Sequence, residues 1–220
     1  ASTIQSLLWI NTNYTHQPNA AKSNHSNASN KKLRLISSGL DGWLHEWNLE
    51  TLSAHSKMSC HGYAIWSIAQ CLVVESNATG GAKQQCKILI SAACDDGKLR
   101  VYRLAEDEFI FQCEFTTSKR CLSTTWSHAV YRDSASMVVY GGTANGLIFG
   151  YDIITRQQMV NIVVTPPAVG GVRKHQTAVY KPLIWSLCSL HGSSKSETGN
   201  GRKLPQIACS TSRGNVDVYE

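Results

Sequence analysis

The chain has 220 residues, 42% of them hydrophobic and 16% charged, with 21 Lys and Arg against 15 Asp and Glu for a net charge of +6. That apolar share is enough for a core, while no apolar run approaches the roughly 18 residues of a membrane span. No G-x-S-x-G, H-E-x-x-H, Walker, dinucleotide-binding or C-x-x-C motif occurs, so the sequence points to no catalytic centre, no cofactor and no metal.

In chain order, Ile4 and Leu7 with Trp9 predict a first strand, followed by a polar Asn/Ser/His insert at 11–31. LISSGLDGWLHEWNL then reads as a hairpin on an Asp-Gly turn, closing on Trp47. The pattern restarts at Ile65 and Ile68 with Trp66, passes a turn-rich insert (75–87), and forms the hairpin LISAACDDGKLRVYRL, which leads into FIFQCEF at 109–115. A third unit starts at Cys121 and Thr124 ahead of Trp126, continues as VVYGGTANGLIFGYDI and QMVNIVV, and ends in a connector at 165–181. The fourth opens at Ile184, Trp185 and Leu187, carries a flexible basic insert at 191–205, and finishes as IACSTSRGNVDVYE.

Each hairpin sets a turn glycine five residues ahead of an aromatic: Gly42 and Trp47, Gly97 and Tyr102, Gly146 and Tyr151, Gly214 and Tyr219. The units start 61, 56 and 63 residues apart, longer than the about 40–45 of a typical WD repeat, and the inserts account for the excess. Four short strands per unit with an aromatic closing the third is a WD-repeat blade. The predicted fold is therefore all-β, a WD-repeat β-propeller across 1–220, with about four consecutive blades of a larger, seven-bladed disc. Alternating strand direction places the inserts at 11–31, 75–87 and 191–205 on one face and 165–181 on the other.

The positive charge is concentrated. Residues 153–216 hold eight bases against one acid, a balance of +7, whereas the remainder has thirteen against fourteen, or −1. Arg173, Lys174, Lys181 and Arg213 are expected on one face, and Arg156, Lys195, Arg202 and Lys203 on the other. Such a sector attracts polyanions by charge neutralisation and counterion release, or simply keeps the protein soluble. The candidate RNA-contacting residues are Arg173, Lys174, Lys181 and Arg213, then Arg202 and Lys203.

Trp43, directly after a turn glycine, is a candidate anchor for a partner protein. His61 stands four residues before Ile65, where WD repeats often carry a His bonded toward a Ser and an Asp. Here these would be Ser91 and Asp96 with Tyr102 in place of Trp, a structural network rather than a catalytic one. The eight cysteines show no paired spacing and read as free apolar residues in a reducing compartment. The sequons at Asn13, Asn24, Asn27 and Asn77 fall in Asn/Ser-rich inserts, where such triplets arise by chance.

The stretch LRLISSGLDGWLHEWNLETLSAHSKMSCHGYAIWSIA resembles a blade of the cirhin family of WD-repeat proteins. LISAACDDGKLRVYRL with CLSTTWS is similar to the family's next blade, and VGGVRKHQ followed by LIWSL to its basic connector and the strand after it. The resemblance is collinear through nearly the whole chain apart from the inserts, and Arg213 departs from it where a turn Asp is common. It implies a non-enzymatic nucleolar scaffold of the small-subunit processome. The implied partners are other WD-repeat and helical-repeat subunits and the 5′ external transcribed spacer of pre-ribosomal RNA, in 18S rRNA processing, with no membrane and no small-molecule substrate. The alternative is a WD-repeat peptide-binding adaptor in trafficking or ubiquitin-ligase assembly. An enzyme using His61 and Asp96 is the third reading.

Overall fold

Four glycines set the hairpins. Gly42, Gly97, Gly146 and Gly214 have φ of +76°, +79°, +75° and +78°, left-handed values that a residue with a Cβ adopts only at a cost. The amide of each of the four glycines donates back across its turn, for example Gly42 N–H to the Gly39 carbonyl at 3.2 Å. The structure, a computed structural model, describes residues 3–11, 33–61, 63–75, 85–105, 108–117, 119–127, 137–164, 181–190 and 206–219.

These residues form four antiparallel sheets, each built from consecutive strands in sequence order. The first blade comprises β1 (Ile4–Asn11), β2 (Leu33–Gly39), β3 (Trp43–Asn48) and β4 (Ser53–Ser59). The second comprises β5 (Ile65–Glu75), β6 (Gln85–Cys94), β7 (Lys98–Leu104) and β8 (Phe109–Thr116). β9 (Cys121–Trp126), β10 (Val138–Thr143), β11 (Leu147–Asp152) and β12 (Gln158–Val163) make the third. β13 (Ile184–Leu190), β14 (Gln206–Thr211) and β15 (Val216–Tyr219) make the fourth. No helix occurs among the described residues, so none could cross a membrane.

The first strands stack in turn, β1 on β5, β5 on β9 and β9 on β13. Three apolar clusters fill the three junctions. Ile10, Ile36 and Leu44 meet Ile65, Ile90 and Tyr102 between the first two blades. Leu89, Val101 and Phe115 meet Trp126, Val139 and Phe149 at the second junction, where Phe115 stacks on Tyr151 with ring centroids 4.5 Å apart. Val138, Tyr140 and Ile148 meet Ile184, Ile207 and Cys209 at the third. The outward faces of the first and last blades stay open, leaving Leu7 58%, Trp9 55% and Trp185 49% exposed.

Candidate functional site

The strand registers decide which loops share an end of the blades. Ile4 pairs with Gly39 and Trp43 with Ser59, so the start of a blade, its glycine turn and its last residue lie together. The same holds for Ile65 with Cys94 and Lys98 with Thr116, and for Ile184 with Thr211. This end therefore carries the glycine turns and the blade-to-blade connectors. The opposite end carries the joints between first and second strands.

Backbone hydrogen bonds tie the first end together. Cys60 N–H donates to the Gly42 carbonyl at 2.9 Å, and Asp95 N–H to Ala64 at 2.9 Å. Thr117 N–H donates to Gly97 at 2.7 Å, Ala144 N–H to Arg120 at 2.9 Å, Val164 N–H to Gly146 at 2.8 Å and Ser212 N–H to Leu183 at 3.0 Å. Every connector is thus bonded to the turn of its own blade and to the turn of the next.

Lys181 and Arg213 both sit on this end and both are exposed. The loops that bear them are joined by Ser212 N–H to Leu183 and by Leu183 N–H to the Ser212 hydroxyl at 3.1 Å. Arg173, Lys174, Arg202 and Lys203, and also Lys195, lie outside the described residues. Arg156 is at the other end, where Nη2 donates to the Gln112 carbonyl at 3.3 Å.

Two further bases, Lys119 and Arg120, share the end with Lys181 and were missed in the sequence because they fall outside the basic 153–216 segment. Arg120 extends into solvent with its Nε 3.2 Å from Asp95. Asp95 also accepts from Trp66 Nε1 at 3.0 Å, so the carboxylate anchors both. Trp43 is half-buried on the same end, and Lys57 Nζ lies 5.1 Å from its ring centroid. Its indole is therefore partly covered by a cation rather than freely offered.

The expected His61–Ser91–Asp96 network does not form. His61 is exposed, with its backbone in the left-handed region (φ 49°), and its amide donates to the Ser59 hydroxyl. Ser91 donates to Ala69 and accepts from Thr124 at 2.8 Å. Asp96 is bound bidentately by Arg100 at 3.0 and 2.6 Å. The turned connector throws His61 outward and puts Cys60 on the inside instead. Cys60 there is buried in the same apolar cluster as Cys94 and Tyr102. In the first blade the corresponding polar link does exist, with Trp47 Nε1 donating to Ser37 at 2.9 Å.

No group of three or more His, Cys, Asp or Glu side chains able to hold a metal occurs among the described residues. Lys98 is paired with Glu114, and Arg100 with Asp96 and Glu114. These charges are therefore neutralised by one another.

Among solved structures, the Saccharomyces cerevisiae Sqt1 structure is similar with a TM-score of 0.53, at 10% identity over 84% of this chain and 40% of that one. The structure of BBS1N in complex with ARL6DN also gives 0.53, at 15% identity over 99% of this chain and 50% of that one. Both are propeller proteins. The fold is a WD-type β-propeller.

No family model matches the chain. By sequence it is similar to the human "U3 small nucleolar RNA-associated protein 4 homolog", 28% identical over 158 residues. It is also similar to "U3 small nucleolar RNA-associated protein 4" of Schizosaccharomyces pombe, 29% identical over 161 residues. These alignments take in 71% and 73% of the chain. The matched region spans 19% of the length of each of these curated relatives.

Proposed function

We propose that this chain is part of a non-enzymatic scaffold of ribosome biogenesis, acting in the nucleolus with the small-subunit processome. The observation that carries this reading is the similarity, over some seven-tenths of the chain, to two proteins named for association with the U3 small nucleolar RNA. In this reading the blades present loops rigidly to partner subunits of WD-repeat and helical-repeat type and to the 5′ spacer of pre-ribosomal RNA. The exposed faces at Trp9 and Trp185 would be covered by further blades.

The RNA contact is assigned to the end that bears Lys181 and Arg213, together with Arg173 and Lys174, and secondarily to Arg202 and Lys203. Phosphate contacts from such side chains position a complex without reading sequence. Ultraviolet crosslinking in cells, with sequencing of bound RNA and mapping of crosslinked peptides, tests this directly. Crosslinks to the pre-ribosomal 5′ spacer within 165–213 are expected. No RNA above background, with proteins still recovered, would leave the peptide-binding adaptor, whose binding lacks the steep loss with salt that phosphate contacts show.

A further inference from the structure

The junction between the second and third blades is closed by a pair of stacked rings, and the junction before it is not. Phe115 of β8 lies on Tyr151 of β11 with centroids 4.5 Å apart and the ring planes 8° from parallel. The strand registers show what stands in the matching place one blade earlier. Trp43 and Lys98 each follow a turn glycine, and they pair with Ser59 and Thr116. Met58 therefore holds in the first blade the place that Phe115 holds in the second. Tyr102 and Tyr151, each five residues past a turn glycine, are likewise equivalent. At the first junction a flexible thioether replaces one ring of the pair.

A groove of about 490 Å³ opens there, lined by Met58, His61, Tyr102 and Phe111 and by the charged Lys98, Arg100, Asp96 and Glu114. That is ample for a ring, since a cavity of about 150 Å³ already holds benzene. Phe111 meets Tyr102 edge to face, with centroids 5.8 Å apart, and remains 51% exposed. Opposite Tyr151 in the third blade, the position equivalent to Phe111 carries the polar Gln158. The second junction is thus closed and polar outside, whereas the first is open and apolar.

Charge selects the kind of occupant. Lys98 is paired with Glu114, and Arg100 with both Asp96 and Glu114, so two bases cancel two acids. A phosphate chain, which binds by charge neutralisation, meets no positive field in this groove. His61, which also lines it, holds left-handed backbone at φ 49°, a strained conformation of the kind that collects at ligand clamps. We propose that the groove between the first two blades binds an uncharged aromatic side chain from a segment of a partner protein, seated on Phe111 beside Met58. Aromatic anchors in pockets of this kind dominate the energy of protein interfaces. The site is the same whichever complex the scaffold serves.

The test selects random dodecapeptides displayed on phage against the full-length protein, and measures the recovered peptides in solution by fluorescence polarisation. They are expected to share one Phe, Tyr or Trp, whose replacement by Ala weakens binding about tenfold or more. Met58→Phe should restore the ring pair of the second junction and fill the groove, and Phe111→Gln installs the residue type of the third blade. Each should weaken binding of the same peptides about tenfold or more. Recovery of no binding peptide overturns the proposal, as do peptides without a shared aromatic or parent affinity in either folded variant. Displacement of the peptides by an oligouridylate would put RNA in the groove and overturn it as well. If Met58→Phe does not fold, Phe111→Gln decides alone.

Discussion

Replacing Glu46 by Leu should be among the most damaging single changes in the first blade. Arg34 Nε and Nη2 donate to the two Glu46 oxygens, both at 2.6 Å, and Nη1 donates to the Ala105 carbonyl of the second blade at 2.6 Å. The side chains are 6% and 3% exposed, so neither charge has recourse to water. Removing the carboxylate strands the guanidinium, which costs about 3–5 kcal/mol. Against a typical total stability of about 5–15 kcal/mol, that brings the chain near its unfolding threshold. In the double variant Arg34→Met with Glu46→Leu, both charges go and apolar atoms take their place. Its loss should shrink to about 1 kcal/mol, chiefly the Ala105 carbonyl left without a donor. Urea unfolding followed by circular dichroism gives the stabilities of the parent, both single variants and the double variant, and the cycle should return a coupling of at least about 2 kcal/mol. A Glu46→Leu loss below about 1 kcal/mol, or a double variant as unstable as the sum of its parts, would refute the argument.

Gly42→Ala and Gly214→Ala make a matched pair, because both glycines have the same positive φ but different surroundings. A Cβ at Gly42 would lie 2.3 Å from the Tyr63 carbonyl oxygen, whereas one at Gly214 would meet nothing within 4 Å. Thermal unfolding should show a loss of about 1 kcal/mol at Gly214 and clearly more at Gly42. Gly142→Ala would press its methyl on Ile184 Cγ2 at 2.4 Å and Ser123 Oγ at 2.5 Å. A loss of about 1–3 kcal/mol is expected, and hydrogen exchange should show it concentrated at the third-to-fourth blade junction. Burial raises the Asp96 carboxyl, but the bonds and charge of Arg100 outweigh this and leave it below its ordinary value of 3.8. The resulting stabilisation is present above that value and lost as pH falls through the lower, folded one. Acid titration of the Asp96→Asn variant should therefore lack part of the acid-induced loss seen in the parent.

The glycine turns and the alternation around them were legible because both arise from local backbone physics. A two-residue turn needs a left-handed residue, and a half-buried strand needs period two. Most of the described strands fall where those signals placed them, and β8 at Phe109–Thr116 nearly matches the apolar run read there, whereas the polar β4 (Ser53–Ser59) went unread and β6 begins at Gln85, inside the expected insert at 75–87. The joint between Trp126 and Val138 went unremarked, since no composition shift announced it. His61 was misplaced for a different reason. A four-residue offset from Ile65 suggests an inward histidine, but the backbone turns through left-handed values at His61 and Tyr63, and no sequence period records such a reversal. Burial of Arg34 was equally silent, because a charged residue in a strand ordinarily faces water. Of the candidate RNA contacts, charge alone could be read, and the structure describes Lys181 and Arg213.

The chain of backbone bonds running from Gly42 through Cys60, Ala64, Gly97 and Arg120 to Leu183 acts as a hoop around one rim of the arc. A connector there can lengthen only between its two links, whereas a hairpin at the far rim carries none of them. Evolution is thus channelled: sequence can accrete between first and second strands, as at 12–32, 76–84 and 191–205, without breaking those links. The single long connector on the hooped rim leaves the hoop at Val164 and rejoins it at Leu183. Mechanical load on a far-rim loop would therefore be borne by one sheet, while load on the hooped rim is shared with its neighbours.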